Sequence, residues 1–129
     1  MSLASWKKKY YPAPAESATG SDLEAVQHSL RKWRGAEPAV LSKHGLAHSW
    51  EYIYDKDDPG EDFIFAGNTC ALCRRVPDCN ECIGTRANGC ECSGSLESPY
   101  YRFRGDGNLE PMIAWLRKAL ALAKKEARG

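Results

Sequence analysis

CALCRRVPDCNECIGTRANGCEC, residues 70–92, contains all six cysteines of the chain. Their spacing is Cys70-x2-Cys73-x5-Cys79-x2-Cys82-x7-Cys90-x-Cys92. In a C-x2-C pair both thiolates can turn toward one ion while the intervening backbone wraps it. Two such pairs supply the tetrahedral sulfur set that zinc takes in structural sites. Iron–sulfur clusters also take four thiolates at overlapping spacings and are the alternative cofactor. Six cysteines exceed four. Cys70, Cys73, Cys79 and Cys82 make one tetrahedron; Cys70, Cys73, Cys82 and Cys90 make another. The spacing does not choose between them, so the candidate metal ligands are Cys70, Cys73, Cys79, Cys82 and Cys90. Residues 66–99 are rich in Gly, Asn, Ser and Pro and poor in aliphatics. Such a segment is expected to need its metal to fold, and structural zinc contributes about 10 kcal/mol or more to folding.

The same spacing argues against catalysis. A catalytic zinc keeps an open position with an acid or base beside it. A deaminase carries a His or Cys two residues before a Glu, upstream of Pro-Cys-x2-Cys, and no such arrangement occurs. His44 and His48 have helical ligand spacing, but Gly45 interrupts them and no Glu follows His44. They read as surface or capping histidines. A C-x2-C oxidoreductase needs a βαβ alternation, which the sequence lacks. The chain is therefore read as non-enzymatic.

Outward from the cysteines, SPYYRFRGDGN (98–108) reads as a short strand followed by a turn. From Leu109 onward Leu109, Ile113, Leu116, Leu120, Ala123 and Ala127 recur at helical steps, widened by Met112, Trp115, Ala119 and Leu122. Asn108 is the expected cap. Toward the N-terminus, SWEYIYDKDDPGEDFIF (49–65) reads as a β-hairpin turning at Asp58, Pro59 and Gly60. A calcium loop is excluded there, because Pro59 and Ala66 fall where oxygen ligands are required. SDLEAVQHSLRKWRG (21–35) reads as a helix with a Ser21/Glu24 capping box, an apolar face of Leu23, Val26, Leu30 and Trp33, and a left-handed Gly35 at its end. A second short helix is expected in EPAVLSKHG, opened by Pro38 and closed by Gly45. Residues 1–20, with Pro12 and Pro14, read as an extended arm whose Trp6, Tyr10 and Tyr11 dock on the body.

The whole is expected to be an α+β fold, a small single domain over 21–129. It would combine N-terminal helices, a β-hairpin, a zinc-stapled cysteine loop and a long C-terminal amphipathic helix. The 129 residues carry 43% hydrophobic and 27% charged side chains and a net charge of +1. That balance drives the chain onto neither nucleic acid nor membrane. The basic runs at Lys7–Lys9 and Lys124–Arg128 and the acidic run at Asp55–Asp62 read as solvated surfaces. No stretch approaches the ~20 apolar residues of a membrane span, and MSLASWKKKYYPAPA lacks the apolar run of a secretory signal. The expectation is a cytoplasmic protein, where thiols stay reduced and clustered cysteines bind metal rather than pair as disulfides.

Several pieces taken together, SWKKKYYP, HSLRKWRG, KHGL, CALC, the second C-x2-C, Gly89-Cys90 and SPYYRF, resemble short cysteine-rich proteins of bacteriophage and prophage genomes. In that group the second C-x2-C is commonly followed by proline. Here Ile83 takes that place and Cys92 is additional. The resemblance implies a phage accessory protein acting in the host cytoplasm by binding a host protein, such as a component of a defence complex. Two other classes stand beside it. A nucleic-acid-binding zinc module would use Arg74, Arg75, Arg86, Arg102 and Arg104, with Tyr100, Tyr101 and Phe103 as stacking platforms. A small metal-dependent nuclease would need an open metal position.

Overall fold

A computed structural model describes residues 2–129; Met1 lies outside them. The expected extended arm begins instead with a helix, α1 (Leu3–Tyr10). Ser2 and Ser5 nucleate it reciprocally: Ser2 Oγ accepts from the Ser5 amide at 3.2 Å, and Ser5 Oγ accepts from the Ser2 amide at 3.0 Å. Pro12 and Pro14 act only after Tyr11, where they stop the helix rather than prevent it. Trp6 is wholly buried, and its Nε1 donates to Gly35 O at 2.8 Å. The arm's aromatics thus dock on the body as expected, but from a helix.

Helix α2 (Asp22–Arg34) has the Ser21 half of the expected capping box, with Ser21 Oγ accepting from the Glu24 amide at 3.1 Å. Gly35 follows it with φ −68°, right-handed rather than left-handed. Glycine is needed there for space. A Cβ would lie 2.7–2.8 Å from ring atoms of Tyr10 and Trp6. Helix α3 (Pro38–Lys43) follows as expected, and Gly45, at φ +70°, turns the chain into the sheet.

The sheet has three antiparallel strands in the order β1 (Leu46–Ser49), β2 (Tyr52–Asp55), β3 (Asp62–Ile64). The β2–β3 pair is the expected hairpin, with Ile53 opposite Phe63. Strand β1 is an addition, joined to β2 by a two-residue turn of Trp50 and Glu51, since Ser49 pairs with Tyr52. Trp50 occupies positive φ (57°), a position such turns usually give to Gly or Asn.

SPYYRF, expected as a strand, is helix α6 (Pro99–Asp106), opened by Pro99 in its first turn and closed by Gly107 at φ +77°. Proline is pre-set for a helix start, and that outweighs the strand preference of the aromatics. Phe103 is wholly buried and meets Trp33 at 4.9 Å and Phe65 at 5.3 Å between ring centroids. Trp6, Phe63 and Phe65 continue the same aromatic core under α1.

The long C-terminal helix, α7 (Glu110–Arg128), is present as expected. Its buried face is Leu109, Met112, Trp115, Leu116, Ala119 and Ala123. Ile113 and Leu120 lie at the margin and Ala127 is exposed. The centre of the stripe is thus rotated toward Met112 and Trp115, because α7 packs on α2, on the short helix α5 (Ile83–Asn88) and on α6 together. The small α+β domain is therefore mostly helical, with the sheet at one side.

Candidate metal centre

The cysteine segment is built from turns and two short helices, α4 (Ala71–Arg75) and α5 (Ile83–Asn88), rather than an open loop. Ala71, Leu72 and Ile83 enter the core. Gly84 lies directly against the Trp115 ring, so close that a Cβ would overlap it. Asn88 Nδ2 donates to Gly84 O at 2.8 Å and to Trp115 O at 3.0 Å, and Trp115 Nε1 donates to Cys90 O at 3.0 Å. Helix α7 is therefore a template against which residues 83–90 are laid. At the other end, Arg75 donates to Asp22 Oδ1 at 2.8 Å and to Thr19 O at 2.7 Å, tying α4 to the start of α2.

These attachments direct the thiols to one place. Cys70, Cys73, Cys79, Cys82 and Cys92 all line a single cavity of about 260 Å³ between α2, the cysteine segment and α7. Cys90, one of the five ligands expected from spacing, is not among its lining residues. Cys92, which the spacing left without a role, takes its place. The tetrahedron made by the two C-x2-C pairs has all four members on the cavity, and the one that includes Cys90 has three. Nothing in the spacing separates Cys90 from Cys92 in this respect. Among the described residues, no three His, Cys, Asp or Glu side chains are already close enough to hold one ion. Closing a site therefore requires the thiols to turn inward from where the backbone presents them.

The thiols do not share one electrostatic state. The Cys73 thiol hydrogen-bonds to the Cys70 sulfur, holding Cys70 well below the usual thiol range against the opposing effect of burial; the Lys32 ammonium and Ser29 add to this. The Ser29 hydroxyl lies 3.8 Å from the Cys70 sulfur. Cys73 is pushed up correspondingly, first by that same hydrogen bond and then by burial. The two titrate as a coupled pair. Burial pushes Cys92 up to about 12 and also raises Cys82 and Cys79; Cys79 is raised further by Glu91.

A cation completes the cavity. Lys32, on α2, is wholly buried and lines it. Its Nζ donates to Thr69 O at 2.9 Å and to Thr69 Oγ1 at 3.3 Å, one residue before Cys70. It also lies 5.3 Å and 5.4 Å from the Trp33 and Phe65 ring centroids. The three ion pairs among the described residues involve Arg75 and Arg86, and none involves Lys32. Burial lowers its pKa, opposed by the sulfurs of Cys70, Cys73 and Cys92. Nothing in HSLRKW distinguishes Lys32 from an ordinary surface lysine on a helix.

The donor set suits a thiophilic ion. It offers five sulfurs on one cavity, with Glu91 as the one carboxylate on its lining. Sulfur-only sites select zinc or iron–sulfur clusters over hard cations. Histidines are excluded by position: His44 is buried under α1, with Nδ1 3.0 Å from Ser5 Oγ, and His48 bonds the Trp50 carbonyl. His44, expected as a surface or capping residue, is the C-cap of α3 and is buried.

The aromatic and basic residues weighed for nucleic-acid stacking are largely engaged within the fold. Phe103 is core, Tyr100 Oη donates to Glu51 at 2.6 Å, and Arg75 and Arg86 are paired with Asp22 and Glu126. Arg104 lies over the rings of Trp50 and Tyr101, at 4.6 Å and 4.4 Å from their centroids, and Trp50 is 53% exposed. No helix among the described residues is long and apolar enough to cross a membrane. No family model, curated protein or solved structure matches the chain.

Proposed function

We propose that this protein is a non-enzymatic binding module stapled by a thiolate zinc centre. The carrying observation is the convergence of five of its six thiols on one cavity. Cys70 and Cys73, already hydrogen-bonded to each other, form the fixed half of the centre. Two of Cys79, Cys82 and Cys92 complete it. Zinc there supplies folding energy to a segment with few aliphatic anchors. A four-sulfur shell leaves no open position for water, so the centre is structural.

The binding surface in this reading is the corner where Trp50, Tyr101 and Arg104 stack on one another. Trp, Tyr and Arg are the side chains that most often dominate protein–protein contacts. Trp50 is held there in a backbone conformation rare for a bulky residue, and such strain clusters at functional sites. The resemblance to phage cysteine-rich proteins makes a host protein, such as a defence component, the proposed partner. Two assays on purified, zinc-loaded protein test the reading. The expected result is no turnover of DNA, RNA or peptide substrates, and a sharp rise in amide exchange across residues 70–92 after chelation. Metal-dependent hydrolysis would overturn it, and so would exchange indifferent to chelation.

A further inference from the structure

We propose that Lys32 is the built-in counter-cation of the thiolate centre, so that the cavity takes an anionic metal–sulfur group and not a neutral one. The inference rests on the metal reading above and deepens it. Four thiolates around a divalent ion leave a net charge of −2, and removing such a charge from water costs several kcal/mol unless a cation accompanies it. Lys32 meets the requirement in position and in its lack of any other acidic partner. It is wholly buried, lines the same cavity as Cys70, Cys73 and Cys92, and among the described residues pairs with no carboxylate. Its two hydrogen bonds go to Thr69, which opens directly onto Cys70. The side chain is fixed from behind by the Trp33 and Phe65 rings, so the ammonium is held at the cavity wall and cannot reach solvent.

A buried cation without an anion destabilises a fold, and replacing it by an apolar side chain of similar length then costs nothing or stabilises. Without metal, Lys32 pairs with no carboxylate among the described residues. With metal it faces a dianion. A counter-cation therefore acts in opposite directions on the two forms of the protein, which a purely structural prop would not do. Residues that tune a metal from outside its ligand shell typically alter affinity by about 10- to 100-fold.

The test compares wild type with Lys32→Met, using zinc competition against a chromophoric chelator and thermal melts of the metal-free forms. The expected result is a fall in zinc affinity of about 10- to 100-fold, with the metal-free variant melting at or above the wild-type temperature. Unchanged affinity would overturn the proposal, as would a parallel loss of affinity and metal-free stability, the mark of a prop. Should Lys32→Met fail to fold without metal, cobalt-loaded protein gives a second readout. Loss of the neighbouring cation destabilises the sulfur lone pairs and moves the sulfur-to-cobalt charge-transfer bands to lower energy. Bands that stay in place contradict the role. If wild type itself takes up neither zinc nor cobalt, the metal reading fails first, and that outcome is distinct from failure of the Lys32 assignment.

Discussion

Cys90 and Cys92 are separated by a single residue, yet only Cys92 faces the cavity. Trp115 Nε1 donates to the Cys90 carbonyl at 3.0 Å, which ties the backbone there to α7. Cys90→Ser should therefore bind the same amount of zinc as wild type, whereas Cys73→Ser should lose its ion and its protection across residues 70–92. Metal analysis of the two variants side by side checks both. The proton balance offers a second prediction. Cys70 is held low, while Cys73, Cys79, Cys82 and Cys92 are all pushed up. At neutral pH the raised thiols keep their protons, and each must give one up to bind. A set built largely of these raised thiols should release several protons per ion, and its affinity should fall as the pH drops. Calorimetry in buffers of different ionisation enthalpy measures the number. At this scale the spacing indicates thiols that could gather, and Cys70, Cys73, Cys79 and Cys82 do line one cavity. It does not separate Cys90 from Cys92.

At the scale of elements, the segments read correctly carry their own signals. Helices α2, α3 and α7 show caps, an initial proline or a long apolar stripe, and the β2–β3 hairpin shows its Asp-Pro-Gly turn. The elements that differ are short, and tertiary contacts decide them. Helix α1 has eight residues and a serine pair for a cap, and burial of Trp6 holds it in place. Helix α6 carries aromatics that favour a strand, yet Pro99 starts it as a helix and Phe103 locks it into the core. The contact between α5 and α7 depends on Gly84, whose missing side chain admits the Trp115 ring. Gly84→Ala should force the two helices apart and destabilise the domain by about 1–3 kcal/mol or more. A urea melt reads this directly. A wild-type midpoint would mean that α5 is not seated on α7 in solution.

Over the whole molecule, the cysteine segment is held by two kinds of attachment. Direct contacts join it to the body: Leu72 and Ile83 in the core, the Trp115 and Asn88 hydrogen bonds, and the Asp22–Arg75, Asp22–Arg86 and Glu126–Arg86 ion pairs. The ion pairs are partly exposed and contribute little each. The second kind is the proposed ion, which would tie thiols from α4, the turn at Cys79 and Cys92 into one unit and would give the buried Lys32 its partner. The small net charge, +1, and the engagement of Arg75 and Arg86 within the fold leave little of a basic face for nucleic acid. The exposed Trp50 corner is the surface proposed to meet another protein. Everything in this account above the level of the fold depends on the centre being a metal–thiolate site. The most direct measurement is elemental analysis of protein purified under reducing conditions without added chelator, with thiols counted before and after denaturation. The account predicts about one zinc per chain, a colourless solution, and at least four thiols that become reactive only when the zinc is removed. Protein that carries no metal and exposes all six thiols without denaturation, or brown protein carrying iron, would contradict it.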